Sequence, residues 1–119
     1  MFFRRRPTAA TLSPQDAVNG ARDGTVTVID VREHSEVRQT GIARGALHIP
    51  MAQLAHVADP QHPDYNPALR TDGRIALYCA SGARSGNAQE FMQRMGYADV
   101  HNIGGLVHWQ RAGGRIDAA

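Results

Sequence analysis

Arg74-Ile-Ala-Leu-Tyr-Cys-Ala-Ser-Gly-Ala-Arg-Ser85 carries the chain's one cysteine, Cys79, between an apolar run and a stretch of different period. Arg74 to Tyr78 reads as a buried strand. From Ser85 onward Ala88, Phe91, Met92 and Met95 fall on one face of a helix, and Gly96 is well placed to close it. A strand that feeds a helix through a tight loop is a unit of a parallel sheet covered by helices. Cys79 then stands at the carboxyl end of a strand, the edge at which open α/β sheets bind ligands.

The flanking sequence repeats the alternation. Ser13 can cap a helix that has Pro14 in its first turn and Asp16 favouring its dipole, running to about Gly20. Thr25 to Val31 is rich in β-branched residues and predicts a second buried strand. Residues 32–45 read as a polar connection, followed by a short strand at Ala46 to Ile49 that Pro50 ends. Met51 to Val57 predicts a helix, and Asp59 to Asp72, with Pro60, Pro63 and Pro67, a loop. Val100 to Ile103 predicts a short strand, Gly104-Gly105 a turn, and Leu106 to Ala112 a last helix with Trp109 in the core. The expected fold class is α/β with a mostly parallel sheet.

A chain of 119 residues suits one domain, and 42% hydrophobic with 20% charged residues suits a soluble, globular one. No apolar run approaches the roughly 20 residues of a membrane span, so no membrane partner is expected. Residues 1–10 read as a flexible tail ahead of a domain at 11–116; Met1 to Pro7 has charge but no apolar stretch of signal-peptide length, and a cytoplasmic location is expected. Arg4, Arg5 and Arg6 read as solvated, and a net charge of +2 is too small to argue for nucleic acid, though it mildly favours anionic substrates. All basic residues are arginine, which excludes Schiff-base lysine chemistry. A single cysteine excludes an internal disulfide and a resolving thiol, so a covalent intermediate on Cys79 needs an acceptor from outside. The six histidines are scattered without paired ligand spacing, so no metal site is expected.

The unpaired amides and dipole of the following helix favour negative charge, so Cys79 is expected to have a lowered pKa and to be nucleophilic. Gly82 lets the backbone curl and turn N–H groups inward, Arg84 adds a positive charge at the mouth, and Ser85 can cap the helix or donate to the loop. Two chemistries use such a cradle. A phosphatase loop typically has one more residue between cysteine and arginine than Ala80, Ser81, Gly82 and Ala83 provide. The smaller ring better fits a single extra sulfur atom.

At this point Cys79-Ala-Ser-Gly-Ala-Arg84-Ser85 resembles the active-site loop of the rhodanese family of sulfurtransferases. Val28-Ile-Asp-Val-Arg-Glu33 resembles that family's strand motif, with Asp30 and Arg32. Gly41 to Pro50 resembles its Gly-His-Ile-Pro-Gly-Ala-x-x-Ile-Pro segment, with Ala43-Arg44 where a proline usually precedes glycine. Asn102-Ile-Gly-Gly-Leu-Val-His-Trp109 resembles its Gly-Gly-x-x-x-Trp ending. The resemblance implies a rhodanese-like three-layer sandwich and a stand-alone, single-domain sulfurtransferase. It further implies transfer of a sulfane sulfur from a small anionic donor such as thiosulfate, through a Cys79 persulfide, to a thiol or cyanide, with no metal or organic cofactor. The acceptor thiol could belong to a protein. Ala80, Ser81, Gly82, Ala83, Arg84 and Ser85 would hold the persulfide, while Asp30 and Arg32 are expected to support the site as an ion pair tying neighbouring segments. The alternatives are a persulfide carrier or regulatory module serving a partner protein and, further off, a cysteine phosphatase or arsenate reductase.

Overall fold

The computed structural model describes residues 11–119, so the expectations for residues 1–10, Arg4 to Arg6 included, lie outside the described residues. In chain order the elements are α1 (Pro14–Asp23), β1 (Thr27–Asp30), α2 (His34–Thr40), β2 (Ile42–Ala43), β3 (Leu47–His48), α3 (Met51–Val57), β4 (Arg74–Cys79), α4 (Ala83–Arg94), β5 (Asp99–Gly105), α5 (Leu106–Arg111) and β6 (Ile116–Asp117). Four strands form one sheet in the order β3-β1-β4-β5, every neighbouring pair parallel. β1 and β4 are central, which is why successive residues Val28-Ile29 and Ile75-Ala-Leu-Tyr-Cys79 are apolar and buried: a strand covered on two faces has no side to leave polar.

Alternation along the strands divides the core into two. Ile29, Ile75, Leu77 and Cys79 face Leu54 of α3 and Ala88 and Met92 of α4. Val28, Ala76 and Tyr78 face Ala17 and Val18 of α1 and Trp109 of α5. The result is an α/β fold with a parallel central sheet and helices on both faces. Adjacent residues of β4 therefore serve opposite cores, and Tyr78 and Cys79 lie on different sides of the sheet.

Several elements differ from the sequence reading, each for a local reason. Residues 32–45 are not a plain connection; they contain α2 and β2. α2 buries only Val37, so it has no apolar period to read. Its start is signalled instead by Glu36, whose carboxylate accepts the Glu33 N–H at 2.9 Å. β2 and β6 make a two-residue antiparallel ribbon, Ile42 opposite Asp117 and Ala43 opposite Ile116, too short to show alternation. α1 continues past Gly20 to Asp23, because Gly20 packs against Val26 instead of ending the helix. β5 runs through Gly104-Gly105, expected as a turn, since Gly105 still pairs with Cys79 after a shift in register.

Trp109 is 2% exposed, and its indole N–H donates to the Arg115 carbonyl at 2.8 Å, holding the chain on course for β6. Trp109→Ala should lower unfolding free energy by about 3–5 kcal/mol. Urea denaturation would register this as a lower midpoint with an unchanged slope.

Candidate functional site

The site is built where β4 stops. Cys79 is the last residue of that strand, and α4 begins at Ala83, two residues before the expected Ser85. Between them the chain turns sharply at Gly82, the N-cap, whose φ of +110° is a left-handed conformation that other residues rarely adopt. This turn aims the Gly82 N–H at the Cys79 sulfur from 3.0 Å and the Ser85 N–H from 3.5 Å. Ser85 does not cap α4. Its hydroxyl lies inside the loop, 3.4 Å from the sulfur and 2.6 Å from Asn102 Oδ1, with one proton to share between those two acceptors.

Cys79 is buried, and desolvation alone pushes its thiol pKa up. Hydrogen bonds from the Ser85 hydroxyl and from the amides of Ser85, Gly82 and Ser81 outweigh that and bring it down to about 7. A substantial thiolate fraction at neutral pH follows. The residues over the mouth, Ala80, Ser81 and Ala83, are exposed and uncharged.

Asn102, Gly104 and Gly105 of β5 form the floor of the loop. Asn102 bridges the two halves of the site: its side-chain amide donates to the Gly82 carbonyl at 2.9 Å, while its Oδ1 accepts the Gly104 N–H at 2.9 Å. Gly105 packs its backbone onto the Ala80 carbonyl, and a Cβ at position 105 would collide with that oxygen. None of the three stood among the expected site residues. The Gly-Gly pair was the available signal, since adjacent glycines beside a strand mark close backbone approach as well as turns.

Arg84 does not present a free charge to the mouth. Its two terminal nitrogens grip both oxygens of Glu36, at 2.7 and 2.8 Å, across from α2. That fork holds the Glu36 carboxyl well below the usual range, at about 2, with the Glu33 backbone hydrogen bond adding to it. Glu36 also escaped expectation, because the helix that carries it has no apolar period.

Asp30 and Arg32 lie on the other side of the sheet. They form a buried pair at 2.7 Å, with side chains 0% and 3% exposed. Arg32 continues to the Thr40 hydroxyl at 2.8 Å and the Gly41 carbonyl at 2.9 Å. Asp30 is the register partner of Tyr78 and accepts the Tyr78 hydroxyl at 2.6 Å, while that oxygen accepts the Ala43 N–H. The network thus reaches Cys79 only through its neighbour in β4. His48 Nε2 sits 2.7 Å from the Arg32 carbonyl and donates to it. The histidines are less scattered than expected, for His56 and His62 stack with ring centroids 4.6 Å apart and Asp64 nearby. Both rings are far along the chain from the cysteine loop.

Residues 13–112 match the rhodanese-like domain. The chain belongs to that family. It is 35% identical over 78 residues to thiosulfate sulfurtransferase PspE of Escherichia coli, covering 66% of this chain and 68% of that protein. It is 33% identical over 89 residues to a sulfurtransferase of Allochromatium vinosum, covering 74% of this chain and 75% of the other. Among solved structures, a Rhodopseudomonas palustris protein of unknown function, described as a possible tyrosine phosphatase, superposes with a TM-score of 0.78 at 34% identity, covering 90% of this chain and 83% of that one. The Escherichia coli and Allochromatium vinosum relatives are thus named for sulfur transfer, and the four quoted motifs fall within the matched region.

Two measurements probe the site. Asp30→Ala strands the buried Arg32 guanidinium and should cost about 3–5 kcal/mol in urea unfolding. Alkylation of Cys79 by iodoacetamide should rise with pH through a midpoint near 7 and level off above it. Ser85→Ala should move that midpoint upward. The shift also links to stability: the thiolate's contribution is fully present above an unfolded-chain pKa of about 8.5 and fades as pH falls through the folded value.

Proposed function

We propose that this rhodanese-like domain is a sulfurtransferase that moves a sulfane sulfur through a persulfide on Cys79. The Cys79 thiolate attacks the outer sulfur of thiosulfate or a related donor. A Cys79–sulfur bond forms, the donor's S–S bond breaks, and sulfite leaves with the bonding electron pair. The terminal sulfur carries the remaining negative charge until a thiol or cyanide removes it. Cys79 is the nucleophile, and Ala80, Ser81, Gly82, Ala83, Arg84 and Ser85 form the loop that receives the persulfide. Asp30 and Arg32 support it through Tyr78.

One observation carries this reading. The amides of Gly82 and Ser85 converge on a buried sulfur at 3.0 and 3.5 Å, so negative charge at that point meets donors already in place. A phosphatase would need Arg84 to clasp phosphoryl oxygens, and its fork is engaged by Glu36. A persulfide carrier serving a partner protein would use the same loop and differ only in its donor, a protein instead of a small molecule.

Mass spectrometry after thiosulfate treatment tests the proposal. Cys79 should gain the mass of one sulfur atom, and cyanide should remove it with formation of thiocyanate. Cys79→Ser should show neither, since a serine hydroxyl is not ionised at neutral pH. Unmodified protein that hydrolyses an aryl phosphate would replace sulfur transfer with phosphatase chemistry. Loading by a protein persulfide but not by any small donor would favour the carrier.

A further inference from the structure

The charges around the loop are arranged in a way that sulfur transfer from thiosulfate does not explain. Thiosulfate is a dianion, and it must approach a cysteine that is itself a thiolate. The obvious counter-charge is Arg84, the loop's one cationic side chain. Both terminal nitrogens of Arg84 are spent on the two oxygens of Glu36. Glu36 is in turn fixed in place, because its Oε1 also accepts the Glu33 N–H at 2.9 Å. The Glu33 carboxylate adds a second negative charge that acts on the same guanidinium. Arg32 does not redress the balance, since its charge is matched by Asp30 within the buried pair. Ala80, Ser81 and Ala83 over the mouth contribute no charge. One cation therefore faces two carboxylates before Cys79 ionises.

We propose that Glu36 is the specificity-determining residue of this site: by occupying Arg84 it withholds positive charge from the donor and selects persulfides over dianionic thiosulfate. The inference rests on the sulfurtransferase reading above and narrows its donor class. With a persulfide R–S–SH, the Cys79 thiolate attacks the terminal sulfur and a Cys79–sulfur bond forms. The donor's S–S bond breaks, the thiolate R–S⁻ departs with the electron pair, and the proton stays on the transferred sulfur. Such a donor brings at most one negative charge to the sulfane end and needs no cation at the mouth. Glu36 acts through Arg84 and touches no reacting atom, so it is a positioning residue.

The test compares two donors on the full chain, thiosulfate and the freshly generated persulfide of 2-mercaptoethanol, whose organic part is uncharged. The rate of sulfur loading onto Cys79 is followed by mass spectrometry in wild type, Glu36→Gln, Glu36→Asp and Glu36→Ala. Wild type should load faster from the persulfide. Glu36→Gln keeps the side chain's shape while freeing the Arg84 charge, and should raise the thiosulfate-to-persulfide rate ratio about tenfold or more, the scale of one unit charge at close range in a partly solvated site. The gain should shrink as ionic strength rises. Glu36→Ala should move the ratio in the same direction, which covers the case of a glutamine variant that folds poorly. Glu36→Asp retains the charge and should keep the wild-type preference. A purely structural role would change both rates by one factor and leave the ratio alone, and that result overturns the inference while sulfur transfer stands. So does a ratio that falls. Failure of both donors to load wild-type Cys79 would overturn the sulfurtransferase reading itself.

Discussion

The backbone contact between Gly105 and the Ala80 carbonyl sets the shape of the loop. β4 and β5 end side by side there, and the absence of a Cβ at position 105 lets the loop after β4 lie directly on β5. From that contact Asn102 reaches both ways, to the Gly82 carbonyl and the Gly104 N–H, and fixes the turn whose amides point at the sulfur. Gly82 meets the same strand from the other side, where a Cβ would lie 3.3 Å from Gly104 Cα. The thiol's acidity is thus a consequence of how closely two strand ends can approach. Helix α4 contributes its first amides, but β5 holds them in register.

Two ion pairs flank this loop and differ in kind. Asp30 and Arg32 are sealed in the core, with every nitrogen of the Arg32 fork directed at a carboxylate, hydroxyl or carbonyl. A pair so enclosed is costly to break and has no exchange with ligand. Glu36 and Arg84 are partly exposed at the mouth, where the strength of the fork depends on what else approaches. The first pair organises the segment between β1 and β3; the second balances charge at the mouth of the loop. Alternation along β4 keeps them apart, because Tyr78 belongs to one core and Cys79 to the other.

Much of this was legible in the chain. The central strands announced themselves, β1 by its β-branched residues and β4 by its apolar run, α4 by Ala88, Phe91, Met92 and Met95 on one face, and α3 was delimited correctly by Pro50 and the loop that follows Val57. The geometry of the cysteine loop was readable because it depends on neighbours in sequence: a strand end, a glycine and a helix start. α2 and the β2–β6 ribbon were not readable. A helix with one buried residue and a ladder of two residues carry no period, and tertiary pairing holds them.

The sequence by itself determined the parallel α/β architecture, the place of Cys79 at the carboxyl edge of the sheet and its closeness to helix-terminal amides, since all three are signalled by sequence patterns a few residues long. Only the tertiary structure decided that Arg84 spends its fork on Glu36, 48 residues away, and that Asn102 and Gly105 close the loop from below. Local spacing can state that a charge is present; whether it is free depends on which distant side chain the fold brings within hydrogen-bonding distance.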